Sequence, residues 1–135
     1  MLEKQFCISK EKIEDIPAQI FQLIDKIHAG GAVTFAGIVR IKNDNKIVRG
    51  IRYHCYVEMA ELEGRKIINE AKSKFPLLDA FCIHRIGDLI VGEMAVWIVA
   101  TAEHRGEAFA GCQYIIDEVK KRVPIWKEES SESEV

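Results

Sequence analysis

The stretch "MAVWIVATAEHRGEAFAGCQYIIDEVKKR" (94–122) contains two elements with different periods. From Met94 to Thr101 it is almost wholly apolar, which predicts a strand buried on both faces at the centre of a sheet. From Arg105 to Arg122 a helix is predicted, with Ala108, Cys112, Ile115, Ile116 and Val119 as its inner face. Pro124 disfavours a helical conformation at Val123, so the helix is predicted to stop there.

Upstream, "LDAFCIHRIGDLIVGE" (78–93) supplies another strand, joined to the first through Gly87 and Gly92, with a short strand at Leu89–Val91. "VEMAELEGRKIINEAKSKF" (57–75) is amphipathic, with Ala60, Ile67, Ala71 and Phe75 as its buried stripe and Pro76 as its stop. "GAVTFAGIVR" (31–40) reads as a strand with Ala32, Thr34, Ala36, Ile38 and Arg40 on one face and Val33, Phe35 and Val39 on the other. "KNDNK" (42–46) is a turn and "IVRGIRYHCY" (47–56) the returning strand. At the start, "KQFCISKEKI" (4–13) is a strand. Asp15 and Pro17 then open a helix carrying Ile20, Leu23, Ile24 and Ile27, ended by His28 and Gly30-Gly31. The order β-α-β-β-α-β-(β)-β-α predicts an α+β fold with a largely antiparallel sheet. Residues 1–129 form one domain, and the acid-rich 130–135 a disordered tail.

Composition narrows the function. The net charge is −2, from 19 Lys and Arg against 21 Asp and Glu, so a broad nucleic-acid-binding field is disfavoured. Cys7, Cys55, Cys82 and Cys112 form no C-x-x-C pair and sit in apolar runs, which argues against zinc or a disulfide scaffold and for a reducing compartment. No leader pattern or membrane-length apolar run is present, so a cytoplasmic protein is expected.

Five places in the chain could carry chemistry. "GGAVTFAG" fits neither a dinucleotide fingerprint nor a P-loop and reads as a turn and strand. His104 and Arg105 stand where strand gives way to helix, a place for an anion or for an ordinary exposed pair. His84-Arg85 ends a strand and reads as structural. Arg40 is either a pocket-rim cation or a plain strand end. The fifth is "KKRVPIWKEE" (120–129). Lys120, Lys121 and Arg122 complement the helix dipole. Lys127 lies beyond the proline, beside an anchoring Trp126, and so can be held toward the same anion as Lys120.

Together "GAVTFAGIVR", "YHCYVEMA" (53–60), "IHRIGDLIVGE" (83–93) and "EHRGEAFAGCQYIIDEVKKRVPIWKEE" (103–129) resemble the catalytic large subunit of molybdopterin synthase, the MoaE family. The resemblance covers about residues 5–129. It departs at "YHCY", where the family more often has Tyr-Glu-Ala-Tyr, and in "RIKNDNKIVRG". It implies an α/β hammerhead-like fold with an additional small antiparallel sheet and three main helices. It also implies a sulfurtransferase of molybdenum cofactor biosynthesis. Cyclic pyranopterin monophosphate (precursor Z) becomes molybdopterin with two sulfurs from the C-terminal Gly-Gly thiocarboxylate of a small ubiquitin-like partner, MoaD. The expected assembly is a homodimer of large subunits, a heterotetramer with two small ones, with no resident cofactor or metal. By the same resemblance Lys120 and Lys127 are catalytic. Ile38, Val39, Arg40, His104, Arg105, Glu128 and Glu129 join them in contacting substrate, with His104 and Arg105 serving the neighbouring protomer's site. The alternative on the residues alone is a non-enzymatic module that seats an acidic partner tail on its lysines.

Overall fold

The computed structural model describes residues 2–131. After a short 3-10 turn the chain runs β1 (Phe6–Ser9), α1 (Ile16–Phe21), β2 (Gly31–Ile38), β3 (Lys42–Asn43), β4 (Lys46–Cys55) and α2 (Val57–Lys74). It continues β5 (Leu77–Arg85), β6 (Gly87–Ile90), β7 (Met94–Ala102), α3 (Arg105–Arg122) and β8 (Ile125–Ser131). The strands form two sheets, one ordered β1-β5-β7-β2 and the other β3-β4-β6, with β8 also paired to β4. Among the described residues every pairing is antiparallel except β1 with β5. This is the expected α+β class, with its additional small antiparallel sheet.

The strand at 94–102 is central, flanked by β5 and β2. Its alternation divides the core. Val96, Ile98, Ala100 and Ala102 pack with Phe6, Ile67, Ala108 and Ile115 beneath α2 and α3. Trp97 and Val99 face the other way and join Phe81, Ile83, Ile13, Ile20 and Ile24. A third cluster of Val39, Val48, Ile51, Leu89 and Ala95 binds the two sheets together. The five positions read as the inner face of α3 are all buried. α2 lies hard against β1, because a Cβ at Gly64 would overlap the Phe6 ring. The β3–β4 turn places Asp44 and Asn45 at φ 51° and 66°, the left-handed pair a two-residue hairpin requires.

Three expectations are corrected. β1 spans only Phe6–Ser9, not 4–13. α1 ends at Phe21 rather than running through Ile27. The Asp25 carboxylate accepts hydrogen bonds from the backbone N–H of Ile27 (3.0 Å) and of His28 (2.9 Å), while the Asp25 N–H donates to Asp79 Oδ2 (2.8 Å). These bonds offer the backbone an alternative to a further helical turn. Ile20 and Ile24 are buried as read, but Leu23 and Ile27 are exposed. Asp15 holds the N-cap position without a side-chain cap bond. Third, Ser130 and Ser131, assigned to the tail by composition, pair with Gly50 and Val48. Backbone pairing along β4 accounts for this strand, since it does not require apolar side chains. The remainder of the expected tail, 132–135, lies outside the described residues.

Candidate active site

A cavity of about 600 Å³ opens in the seam between the two sheets. One wall comes from the end of β2 and the residues after it. The β2–β7 register shifts between Gly37 and Ile38. Val39 is then pinned by its N–H to Glu93 O (3.0 Å) and by Gly92 N–H to its carbonyl (2.8 Å). Val39 is buried, while Ile38 and Arg40 are exposed on either side of it, and all three line the cavity. Gly37 leaves room for Val96, whose Cγ1 would sit 2.6 Å from a Cβ there.

The opposite wall is the corner after α3. Val119 is buried and Lys120, the next residue, is exposed at the cavity in the helix's last turn. The helix ends at Val123, whose N–H reaches Val119 O, and β8 runs back along β4. The register sets Lys127 opposite Tyr53 and Glu129 opposite Ile51, so period two turns both toward the cavity. Lys127 Nζ lies 3.3 Å from Glu129 Oε1. Trp126 stacks on His54, with ring centroids 5.6 Å apart, and meets Tyr56 at 5.3 Å. Those rings anchor the corner that carries Lys127, and His54 supplies one of them.

Arg40, Lys120, Lys127 and Glu129 therefore meet at one apolar-walled cavity, where cations outnumber the acid. Such a site suits a phosphate-bearing molecule, and a positioned Lys can also transfer a proton. Arg40 is thus a rim cation. Glu128 departs from the expectation. It pairs with Arg52 on the outer face of β8, and its Oε1 lies 3.4 Å from His54 Nε2. That nitrogen has no partner in hydrogen-bonding geometry among the described residues. His104 and Arg105 are exposed at the other end of α3, roughly 22 Å along the helix axis from Lys120, so they do not complete this cavity within one chain.

Besides Trp126, two polar lining residues were not read as site residues, Tyr53 and His84. The Tyr53 hydroxyl pKa is raised by burial and then by the charge of Glu129. His84 is buried, and its Nδ1 lies 2.7 Å from Arg85 O, which assigns that nitrogen as the donor. Burial brings its pKa down to about 4 against the opposing pull of that bond, so the ring is neutral at pH 7. The His84-Arg85 pair thus divides. Arg85 is structural, with Nη2 donating to Asp88 O (3.0 Å) and Nη1 at 3.3 Å from Glu93.

All four cysteine thiols are shifted upward, each chiefly by burial, so they are poor nucleophiles near neutral pH. Among the described residues no group of three or more His, Cys, Asp or Glu is arranged to hold a metal, and no helix is long and apolar enough to cross a membrane.

Two lysines and an arginine around a cavity between two sheets define an α+β domain built to handle an anionic small molecule. The family model described as "MoaE protein" matches residues 8–122, and the chain belongs to that family. It is 49% identical to the molybdopterin synthase catalytic subunit of Pyrococcus abyssi over 79% of this chain and 72% of that protein. It is 42% identical to the same subunit of Thermoplasma volcanium, over 87% of this chain and 85% of that one. The crystal structure of molybdopterin synthase from Staphylococcus aureus superposes with a TM-score of 0.87 at 32% identity, over 95% of this chain and 92% of that one.

Proposed function

We propose that this chain is the catalytic subunit of a cytoplasmic molybdopterin synthase. It converts cyclic pyranopterin monophosphate to molybdopterin with sulfur carried on the thiocarboxylated tail of a small ubiquitin-like subunit. The observation that carries this reading is the convergence of Lys120 and Lys127, from either side of the Val123-Pro124 corner, on one cavity with Arg40.

The cations bind the phosphate. Lys120 donates and accepts protons as sulfur adds to the pterin side chain and the cyclic phosphate opens. Lys127, oriented by Glu129, stabilises the phosphate and the developing oxyanion. The large subunits pair, so that His104 and Arg105 of one protomer reach the site of the other, and each site takes the tail of one small subunit. Glu128, on the outer face of β8 beside His54, is not a substrate contact in this reading. The proposed reaction uses no resident cofactor or metal.

The test is reconstitution. Wild-type protein is mixed with thiocarboxylated small subunit and cyclic pyranopterin monophosphate, and molybdopterin is read as its fluorescent oxidation product. Product formation supports the reading. Tight small-subunit binding with no product and an intact thiocarboxylate would instead make the lysines a docking seat.

A further inference from the structure

Six polar side chains besides Trp126 line the cavity: Arg40, Tyr53, His84, Lys120, Lys127 and Glu129. His84 alone among them is buried, at 8% exposed. The cations are exposed, so the charged end of the cavity is its mouth and the imidazole belongs to its enclosed part. The Nδ1 proton is committed to Arg85 O, and the Tyr53 ring meets the imidazole edge-on at 4.9 Å, which fixes its orientation. Nε2 is therefore the acceptor nitrogen of a ring that lines the cavity.

A neutral acceptor offers nothing to a phosphate or a carboxylate tail, which the lysines attract. It suits an N–H donor. Resting on the functional reading above, we infer that His84 Nε2 receives an N–H of the substrate's nitrogen heterocycle. The substrate is thereby oriented with its heterocycle inward and its phosphate at Lys120, Lys127 and Arg40. His84 is then a specificity determinant in the buried part of the site.

Two variants separate this role from a structural one. In His84→Asn the side-chain amide can still donate to Arg85 O but ends short of the cavity. In His84→Gln the amide oxygen can reach the place of Nε2. Affinity for cyclic pyranopterin monophosphate and for the thiocarboxylated small subunit is measured by titration calorimetry, with melting temperature alongside. The expected result is about tenfold weaker substrate binding in His84→Asn, the worth of one hydrogen bond, with most of it recovered in His84→Gln. Small-subunit affinity stays at the wild-type value. Unchanged substrate binding in His84→Asn overturns the inference, as does weakened small-subunit binding in its place. Losses in both variants that follow the melting temperature also overturn it and leave His84 a core residue. If the wild type neither binds nor turns over this substrate, the functional reading itself fails and this inference with it. Normal wild-type turnover with an indifferent His84→Asn removes the inference alone.

Discussion

Arg122 grips Glu70 with both terminal nitrogens, Nη1 to Oε1 at 2.6 Å and Nη2 to Oε2 at 2.9 Å. The pair ties the last turn of α3 to α2 two residues after Lys120. The same guanidinium reaches Glu63 and Glu118, and Tyr114 donates to Glu70 at 2.8 Å. Hydrogen bonds from Arg122, then Tyr114, lower the Glu70 pKa to about 2. The helix end that presents Lys120 is thus clamped from outside the cavity.

Glu70→Gln tests the clamp. Both partners are partly exposed, at 28% and 40%, so solvent screens the pair and the expected loss is about 1 kcal/mol. The folded carboxyl titrates below its ordinary value. Its contribution is present above pH 4.5 and fades as pH falls toward 2. Urea unfolding of wild type and variant should therefore differ at pH 7 and converge toward pH 2.

Gly64→Ala places a methyl group in the Phe6 ring, where α2 meets β1. Overpacking of this kind costs about 1–3 kcal/mol. A drop in chemical stability of that size, with cavity chemistry little altered in the folded fraction, is the expected outcome.

Lys120→Ala and Lys127→Ala should fail differently. Removing the proton-transfer group at Lys120 is expected to lower turnover by about 10²–10⁴-fold. Removing Lys127 should raise the substrate KM as well as lower kcat, because its charge serves the bound phosphate and the transition state alike. Steady-state kinetics in the reconstituted system distinguishes the two. Normal kcat in Lys120→Ala would remove its acid/base role.

Arg105 and Lys120 stand at opposite ends of one helix, so their cooperation requires two chains. Lys120→Ala and Arg105→Ala should each be nearly inactive. Co-refolded one to one, they should regain about a quarter of wild-type activity, from the one intact site in each mixed dimer. No recovery in proven mixed dimers would return Arg105 to an ordinary exposed role.

His84 is neutral when folded, its pKa brought down to about 4 chiefly by burial. In the unfolded chain it takes a proton more readily, near the ordinary 6.5. Stability should therefore be complete above pH 6.5, fall as pH drops toward 4, and be flat below with respect to this group. The fall amounts to at most about 3 kcal/mol. In His84→Asn that segment of the stability–pH curve should flatten.

Residues whose role follows from local pattern were legible in the sequence. α2 and α3 were legible by period and β7 by its unbroken apolar run, and the proline after α3 marked its end. Lys120 and Lys127 were placed from the helix stop and the neighbouring Trp126, and both line the cavity. α1 was overread because the apolar spacing of Leu23 and Ile27 carries no trace of Asp79, the distant residue that accepts the Asp25 N–H. β8 was missed because "IWKEESS" owes its strand to pairing with β4.

Most of the element order, the α+β class and the helix-end lysine pair followed from the chain's own spacing, because helix and strand periods and proline stops act over a few residues, while the family resemblance rested on the motifs themselves. Tertiary structure decided the rest. The β8 register turned Lys127 and Glu129 inward and Glu128 outward. The meeting of two sheets placed His84 beside Tyr53 in the cavity wall. Each depends on contacts between segments far apart in sequence, and the direction in which a strand residue points is settled only when its partner strand is known.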